Sequence, residues 1–126
     1  MPTPEQVRAA VDGYVAAYRA GDRDAFLALW ADGATIEDPV GTPVHEGAEA
    51  IGAFWDLVHG MTDRLVLEPT HVHVCEAEAA MVFEIRSTVG GQDMVIDAVD
   101  VFVVDDDGRL GSMRAYWEFP AARPAG

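Results

Sequence analysis

Cysteine is nearly absent from this sequence, which carries only Cys75. A single cysteine forms no internal disulfide, so the fold must be held together by its hydrophobic core. We therefore predict a reducing, cytoplasmic setting. The 126 residues, 50% of them hydrophobic, suffice for one compact domain over residues 1–126 and are too few for two.

Basic residues are scarce as well. Eight Lys and Arg stand against 22 Asp and Glu, which gives a formal net charge of −14. Such an acidic surface repels phosphate backbones, so we expect no nucleic-acid partner. The same repulsion argues against an anionic membrane surface or a phosphorylated substrate.

Long hydrophobic runs and a leader segment are missing too. No apolar stretch approaches the roughly 20 residues that span a bilayer. The segment Met1–Gln6 has neither the basic nor the apolar region of a secretory signal. We therefore expect neither a membrane span nor secretion.

The first part of the chain predicts helices. Val7, Val11, Tyr14 and their neighbours recur at three- and four-residue steps, which places them on one helical face. Further signals of the first helix are Thr3 as its cap, paired with Gln6, and Gly21 at its end. The same pattern predicts a second helix after Asp22, with a stripe of Phe26, Leu29 and Trp30, and a third from about Ala48 to Val58.

Strand patterns follow, so the expected class is α+β. They predict a curved antiparallel sheet with the N-terminal helices on one face, a cone-shaped α+β barrel. Residues 119–126 are expected to form a loose tail. The predicted extended segments are Thr35–Asp38, Arg64–Leu67, Thr70–Ala77, Ala79–Val89, Asp93–Val104 and Arg109–Phe119.

The segment Asp93–Val104 is apolar on both faces, and each face carries one carboxylate, Asp97 or Asp100. We expect helices to cover one face and a second subunit to cover the other, which predicts a homodimer through the sheet. A carboxyl group among hydrophobic side chains is costly to ionise, so its pKa should rise. In its protonated form it can donate a hydrogen bond.

Two further residues are candidates for chemistry. Tyr14 lies within the apolar stripe of the first helix, so its hydroxyl needs a buried partner, and a backbone carbonyl is the more common one. Asp38 precedes Pro39, and the local sequence alone favours a capping or turn residue there. Its neighbour Glu37 is expected to be solvated.

The four histidines do not predict a metal site. His71 and His73 share one strand face, but zinc normally takes three or four ligands, so exposed strand histidines are expected there. His45 and His59 are expected in loops. We predict neither a metal nor a cofactor.

From about Val7 to Phe119 the chain resembles the steroid delta-isomerases (ketosteroid isomerases) of the nuclear-transport-factor-like, SnoaL-like superfamily. The segments that carry the resemblance are Tyr14 with Gly21-Asp22, Ala34–Gly41, Ile96–Val101, and Asp107–Arg109 with Met113–Trp117. The superfamily hosts many functions. Tyr14, Asp38 and Asp100, each within its matching segment, are therefore more specific evidence for the family than the fold is.

The resemblance implies Asp38 as general base, Tyr14 as one oxyanion-hole donor and a protonated Asp100 as the second. It implies migration of a double bond into conjugation with a ketone, without a cofactor, on a small apolar ketone such as a steroid. The apolar residues expected to line the ligand cavity, each with an ordinary core position as the alternative, are Val40, Phe54, Trp55, Met81, Phe83, Ala98, Phe102, Met113, Ala115 and Trp117.

One departure concerns the support of Tyr14. Where well-known members have tyrosines behind the catalytic tyrosine, this chain has Trp30 and Trp55, and an indole donates a hydrogen bond but does not accept one. Two other functions stay open. One is a polyketide cyclase, dehydratase or epoxide hydrolase on the same fold, and the other is a non-catalytic steroid- or lipid-binding protein.

Overall fold

The computed structural model describes residues 1–118 and 122–124. Helices come first and most strands follow, which confirms the α+β class. No helix within these residues is long and apolar enough to cross a membrane. In chain order the elements are α1 Pro4–Ala20, α2 Arg23–Ala28, β1 Trp30–Glu37, β2 His45–Glu46, α3 Ala48–Met61, β3 Arg64–Cys75, β4 Glu78–Val89, β5 Gln92–Val104, β6 Leu110–Tyr116 and β7 Arg123–Pro124.

The ends of α1 are those that the sequence predicts. The Thr3 hydroxyl accepts the Gln6 N–H, and the Gln6 side chain accepts the Thr3 N–H in return. Gly21 ends the helix in the left-handed region, with φ 62°. Both ends of α1 are therefore satisfied by local hydrogen bonds, which fixes the register of its buried face.

The second helix is shorter than predicted. It ends at Ala28, and Trp30 begins strand β1 instead of continuing the helical stripe. The Leu29 carbonyl accepts the Leu110 N–H at 2.8 Å, and Trp30 pairs with Leu110. Pairing with a strand from the end of the chain therefore overrides the local helical pattern.

The sheet has the order β2-β1-β6-β5-β4-β3, with β7 added beside β5. Strands β3 to β6 form the predicted antiparallel meander, whereas β1 pairs with β6 in parallel. Because β2 and β3 remain as edges, the sheet curves without closing. The parallel pairing brings the end of β1 beside the end of β6.

The C-terminal part differs from the prediction. Strand β6 ends at Tyr116, and the predicted end at Phe119 lies outside the described residues. Arg123–Pro124 pairs with β5, so the prediction of a loose tail is wrong for these two residues. The rest of that prediction concerns residues 119–121 and 125–126, which also lie outside the described part.

The two faces of β5 have different surroundings. Ala98, Asp100 and Phe102 are buried on the face that the helices cover. On the other face the Asp97 side chain is 70% exposed and pairs with Arg123 at 2.6 Å. The burial predicted for the Asp97 carboxyl is therefore wrong in the single chain, because an arginine of β7 and solvent reach it.

The capping box of α1 makes a direct prediction about stability. We expect Thr3→Ala to lower the free energy of unfolding by about 1 kcal/mol, because it removes the acceptor of the Gln6 N–H. Urea denaturation measures the change. Gln6→Ala removes only the reciprocal bond and should cost less, and a Thr3→Ala chain as stable as wild type would contradict the prediction.

Candidate active site

Tyr14 lies in the middle of α1 and is 2% exposed. Its ring packs edge-on against Phe102, with the ring centroids 5.0 Å apart. Burial raises the pKa of Tyr14 well above its usual range, and the nearby Tyr18 and Asp100 raise it further. The polar groups near the hydroxyl are therefore side chains of the core, and both favour its protonated form.

Asp100 is the one buried charged residue of the described chain, at 2% exposed. It lies in the middle of β5, between Met81 of β4 and Ala115 of β6. Oδ1 has no hydrogen-bond partner among the described residues. Burial raises the pKa of Asp100 well above its usual range, the negative field of Asp38 raises it further, and the bond to Tyr14 opposes both. Burial therefore favours the protonated form of Asp100, and the direction of this shift is the one that the sequence predicts.

Asp38 follows the last residue of β1, in a turn held by its neighbour. The Glu37 carboxylate accepts the Gly41 N–H at 3.0 Å and the Arg114 Nε–H at 2.9 Å. Both bonds lower the pKa of Glu37, and the bond from the Gly41 N–H has the larger effect. The Glu37 side chain is 19% exposed, so the expectation that it is solvated is wrong. The bond of Glu37 to Arg114 anchors the turn to β6. The Val40 N–H donates to the Ala115 carbonyl and ties the same turn to the same strand.

The Asp38 carboxyl itself receives a short hydrogen bond. The indole Nε1–H of Trp117 donates to Oδ1 at 2.6 Å. Burial raises the pKa of Asp38, while the Trp117 bond and the nearby His45 lower it. Asp38 thus combines burial, which makes a carboxylate more basic, with a donor that stabilises its ionised form.

These three residues lie close enough to act on one another. The negative charge of Asp38 contributes to the raised pKa of both Tyr14 and Asp100. The structure therefore brings together one phenol, Tyr14, and two carboxyl groups, Asp38 and Asp100, that lie far apart in the sequence. With one carboxyl protonated and the other ionised, such a set can stabilise negative charge on an oxygen while the carboxylate takes a proton.

Most residues predicted to line a cavity surround these groups. Phe54 and Trp55 of α3 are buried, whereas Val40 is 37% exposed and Trp117 is half-buried. The strand residues of this set are all buried and lie beside Asp100 in the sheet, and they are Met81, Phe83, Ala98, Phe102, Met113 and Ala115.

Two open cavities lie away from the three residues. A groove of about 570 Å³ runs between α1 and β3 beside Val15, Arg19 and Val72, and a pocket of about 110 Å³ adjoins Trp30 at the start of α3. Because Tyr14 and Asp100 are almost fully covered by protein atoms, a ligand can reach them only if the apolar side chains around them move.

The histidines are placed partly as expected. His71 and His73 are exposed on β3, as predicted. The loop positions expected for the other two are wrong: His45 pairs with Ile36 in β2, and His59 lies on α3 against Trp55, with ring centroids 3.9 Å apart. Among residues 1–118 and 122–124, no group of three or more His, Cys, Asp and Glu side chains is placed to hold a metal ion.

Tyr18 and the indole of Trp117 are the polar contacts that sequence reasoning missed. Tyr18 follows Tyr14 by four residues on the same buried helical face, and that spacing is a usable signal. The contact of Trp117 with Asp38 joins residues 79 positions apart and has no local signal.

The buried Asp100 predicts a distinctive dependence of stability on pH. Since its folded pKa is raised above the unfolded value of about 3.9, its contribution is complete below that pH and is lost as pH rises through the folded pKa. Asp100→Asn removes this loss, so we expect it to gain stability relative to wild type as pH increases. Urea unfolding at several pH values measures the difference.

Asp97→Asn is the matched control, because Asp97 lies on the exposed face of the same strand. It should not reproduce the pH-dependent gain of Asp100→Asn. A constant stability difference between Asp100→Asn and wild type across the pH range would show that the pKa of Asp100 is not raised in the folded chain.

Comparison with known proteins identifies the family of the chain. The SnoaL-like domain family matches residues 11–113. Steroid Delta-isomerase of Nocardioides simplex is 37% identical over 112 residues, which cover 89% of this chain and 89% of that protein.

Solved structures give the same picture at lower identity. The epoxide hydrolase/cyclase-like enzyme SalBIII, with a role in pyran ring formation in the polyether salinomycin, matches with a TM-score of 0.91 at 27% identity, over 99% of this chain and 100% of that one. RV0760c from Mycobacterium tuberculosis in complex with estradiol-17beta-hemisuccinate matches with a TM-score of 0.86 at 27% identity, over 94% and 98% of the two chains. This chain therefore belongs to the SnoaL-like family and is a homologue of a steroid delta-isomerase.

Proposed function

We propose that this protein is a steroid delta-isomerase, which moves a β,γ double bond of a 3-oxosteroid into α,β conjugation. The observation that carries the proposal is the Asp100 carboxyl. It is buried, bonded to Tyr14 and within the field of Asp38, and one of its oxygens is unpartnered. A neutral acid in this position has a hydrogen bond to offer to a ligand oxygen.

The chemistry needs such donors because removal of a proton beside a ketone places negative charge on the ketone oxygen. Tyr14 and protonated Asp100 would donate to that oxygen and stabilise the dienolate in surroundings with little water. The same division of roles is the established one for ketosteroid isomerases, from which it is taken over. No electron carrier is needed, because the double bond moves by proton transfer alone.

Asp38 would be the base that takes the proton and returns it to another carbon on the same face of the ligand. The turn between β1 and β2 holds it, through Glu37 and Arg114, at a fixed place beside Ala115. Its burial raises its pKa and strengthens it as a base, and the Trp117 donor opposes that rise by stabilising the ionised form. In this proposal Asp38 acts in its ionised form and Asp100 in its neutral form, so two nearby carboxyl groups perform opposite tasks.

A flat apolar ketone is the substrate class that suits the surroundings. The side chains about Asp100 are almost entirely hydrophobic, including Met81, Phe83 and Met113. RV0760c, which shares the fold over most of its length, was solved with an estradiol derivative. These observations support a steroid ligand held by burial of its rings, with the oxygen at the two donors.

A homodimer through the outer face of the sheet remains part of the proposal. That face presents the apolar side chains of Val82 and Val103, each 37% exposed, and Tyr116 at 44%. Light scattering at micromolar concentration measures the mass of the particle in solution. A monomer would contradict this assembly without affecting the proposed chemistry.

The strongest rival is a cyclase or epoxide hydrolase, since SalBIII has a closely similar fold. The epoxide-hydrolase type would need an Asp–Arg–Asp arrangement in the cavity. Arg86, the candidate arginine of the central strands, is half exposed and pairs with Glu84 at 2.9 Å. Its position on the surface favours the isomerase over the epoxide hydrolase, whereas a cyclase stays open as the alternative.

The proposal predicts that the protein turns over a β,γ-unsaturated 3-oxosteroid. The absorbance of the conjugated product measures the rate. Asp38→Asn should lower kcat by roughly 10²- to 10⁴-fold, because it removes the proton acceptor. Asp97→Asn, which changes an exposed carboxyl, should retain wild-type activity. Wild-type turnover that survives Asp38→Asn unchanged would exclude Asp38 as the base.

The Trp117 donor predicts a shift in the pH profile. Trp117→Phe removes a hydrogen bond that lowers the pKa of Asp38, so that pKa should rise. The base then ionises at a higher pH, and the acidic limb of kcat/KM should move upward. Gln6→Ala, at the start of α1 and away from the Asp38 turn, is the control. A limb that stays in place or moves to lower pH would contradict the role of Trp117.

A further inference from the structure

Glu37 and Asp38 are neighbouring acidic residues with different surroundings. Glu37 is the last residue of β1 and pairs in register with Arg114 of β6. Ile36 before it is fully buried, and Arg114 opposite it is 51% exposed, so Glu37 lies on the outer face of the sheet. The proposed reaction uses Asp38 as the base and gives Glu37 no role.

Both carboxylate oxygens of Glu37 accept hydrogen bonds, and their donors come from different parts of the chain. Oε1 accepts the Arg114 Nε–H at 2.9 Å, and Oε2 accepts the Gly41 N–H at 3.0 Å. Glu37 and Gly41 are four residues apart, so the second bond closes a loop that contains Asp38. One carboxylate therefore connects both ends of the segment that carries Asp38 to strand β6.

The other bonds of this loop have a different reach. The Thr42 N–H and the Thr42 hydroxyl donate to the Pro39 carbonyl at 3.1 and 2.7 Å. These two bonds lie within the turn and leave its place relative to the sheet open. The Val40 N–H donates to the Ala115 carbonyl at 2.8 Å, which fixes the turn on the far side of Asp38. The Glu37 carboxylate adds the attachment on the near side.

Arg114 is itself held in place from β6. Its Nη1–H donates to the Tyr116 hydroxyl at 3.2 Å, and its guanidinium carbon lies 5.8 Å from the centroid of the Tyr116 ring. An exposed ion pair contributes little to stability. We therefore expect the bond between Glu37 and Arg114 to matter through the geometry that it imposes on the chain.

The position of the Asp38 carboxyl depends on this geometry. Its Oδ1 accepts the Trp117 Nε1–H at 2.6 Å, a short bond that tolerates little movement of the backbone at Asp38. A base must lie within hydrogen-bond reach of the proton that it removes. A displacement of about 1 Å can lower a reaction rate by roughly 10²-fold, so a restraint on this backbone bears directly on the chemical step.

We propose that Glu37 is a positioning residue, which holds the Asp38 carboxylate in place through its bonds to Arg114 and Gly41. The inference rests on the proposed function in that it takes Asp38 as the base. Because Glu37 lies on the outer face, its loss should impair proton transfer and leave ligand binding nearly unchanged.

Glu37→Gln tests the proposal, since it keeps the shape of the side chain but removes its charge and leaves one acceptor oxygen for two donors. We expect kcat to fall roughly tenfold while KM changes little. The matched control is Glu84→Gln, because both oxygens of Glu84 also accept bonds on the outer face, from Arg86 and Arg123. It should retain the kcat of wild type. A folded Glu37→Gln chain with the kcat of wild type overturns the proposal.

A second readout does not depend on turnover. The chain has three tryptophans, so ¹⁵N labelling of the indoles yields three side-chain N–H resonances, and single Trp→Phe changes assign them. The Trp117 resonance reports its bond to Asp38, so it should move upfield in Glu37→Gln and stay in place in Glu84→Gln. An unmoved Trp117 resonance in Glu37→Gln overturns the proposal.

The indole spectrum also separates this inference from the proposed function. If the wild-type chain does not isomerise a ketosteroid, the proposed function fails, and the spectrum still supports or overturns the hold of Glu37 on Asp38. If Glu37→Gln does not fold, Arg114→Gln removes the same ion pair from its exposed side and decides the matter. A Trp117 resonance that moves in Arg114→Gln supports the proposal, and one that stays at the wild-type position overturns it.

Discussion

Burial of the Asp100 carboxyl in the middle of the sheet is the constraint on which the rest of the site depends. An ionised group at that point would lose its hydration and would face the charge of Asp38, and both effects raise its pKa. Burial therefore favours a neutral Asp100 beside Asp38, although the bond to Tyr14 opposes that shift. The difference between the carboxyl groups follows from their surroundings, since the side chains are chemically identical.

Periodicity along the chain was enough to locate two of the three residues. The helical repeat of α1 placed Tyr14 on the buried face, and alternation along β5 placed Asp100 among apolar side chains. Burial follows from such local patterns because a helix or strand exposes its faces regularly. The capping of α1 by Thr3 is predictable for the same reason, since its partner Gln6 is three residues away.

Other features depend on residues far apart and were not predictable. Trp30 continues a helical stripe in sequence, yet it enters a strand because Leu110 lies beside it. The local sequence predicts that Glu37 is solvated. In the fold it pairs with Arg114, which lies 77 positions later in the chain. Asp38 has no local signal beyond a turn, so its candidacy came from family resemblance, and its raised pKa comes from the packing around it.

The parallel pairing of β1 with β6 has a consequence for how the protein matures. It joins the first third of the chain to the last, and the contacts of Tyr14 with Asp100 and of Asp38 with Trp117 do the same. Contacts so distant in sequence form late, because a large loop must close before they contribute. A nascent or truncated chain that ends before β6 contains Tyr14, Asp38 and Asp100 but lacks Trp117 and the strand that pairs with β1, so the site takes its arrangement only when the fold is complete.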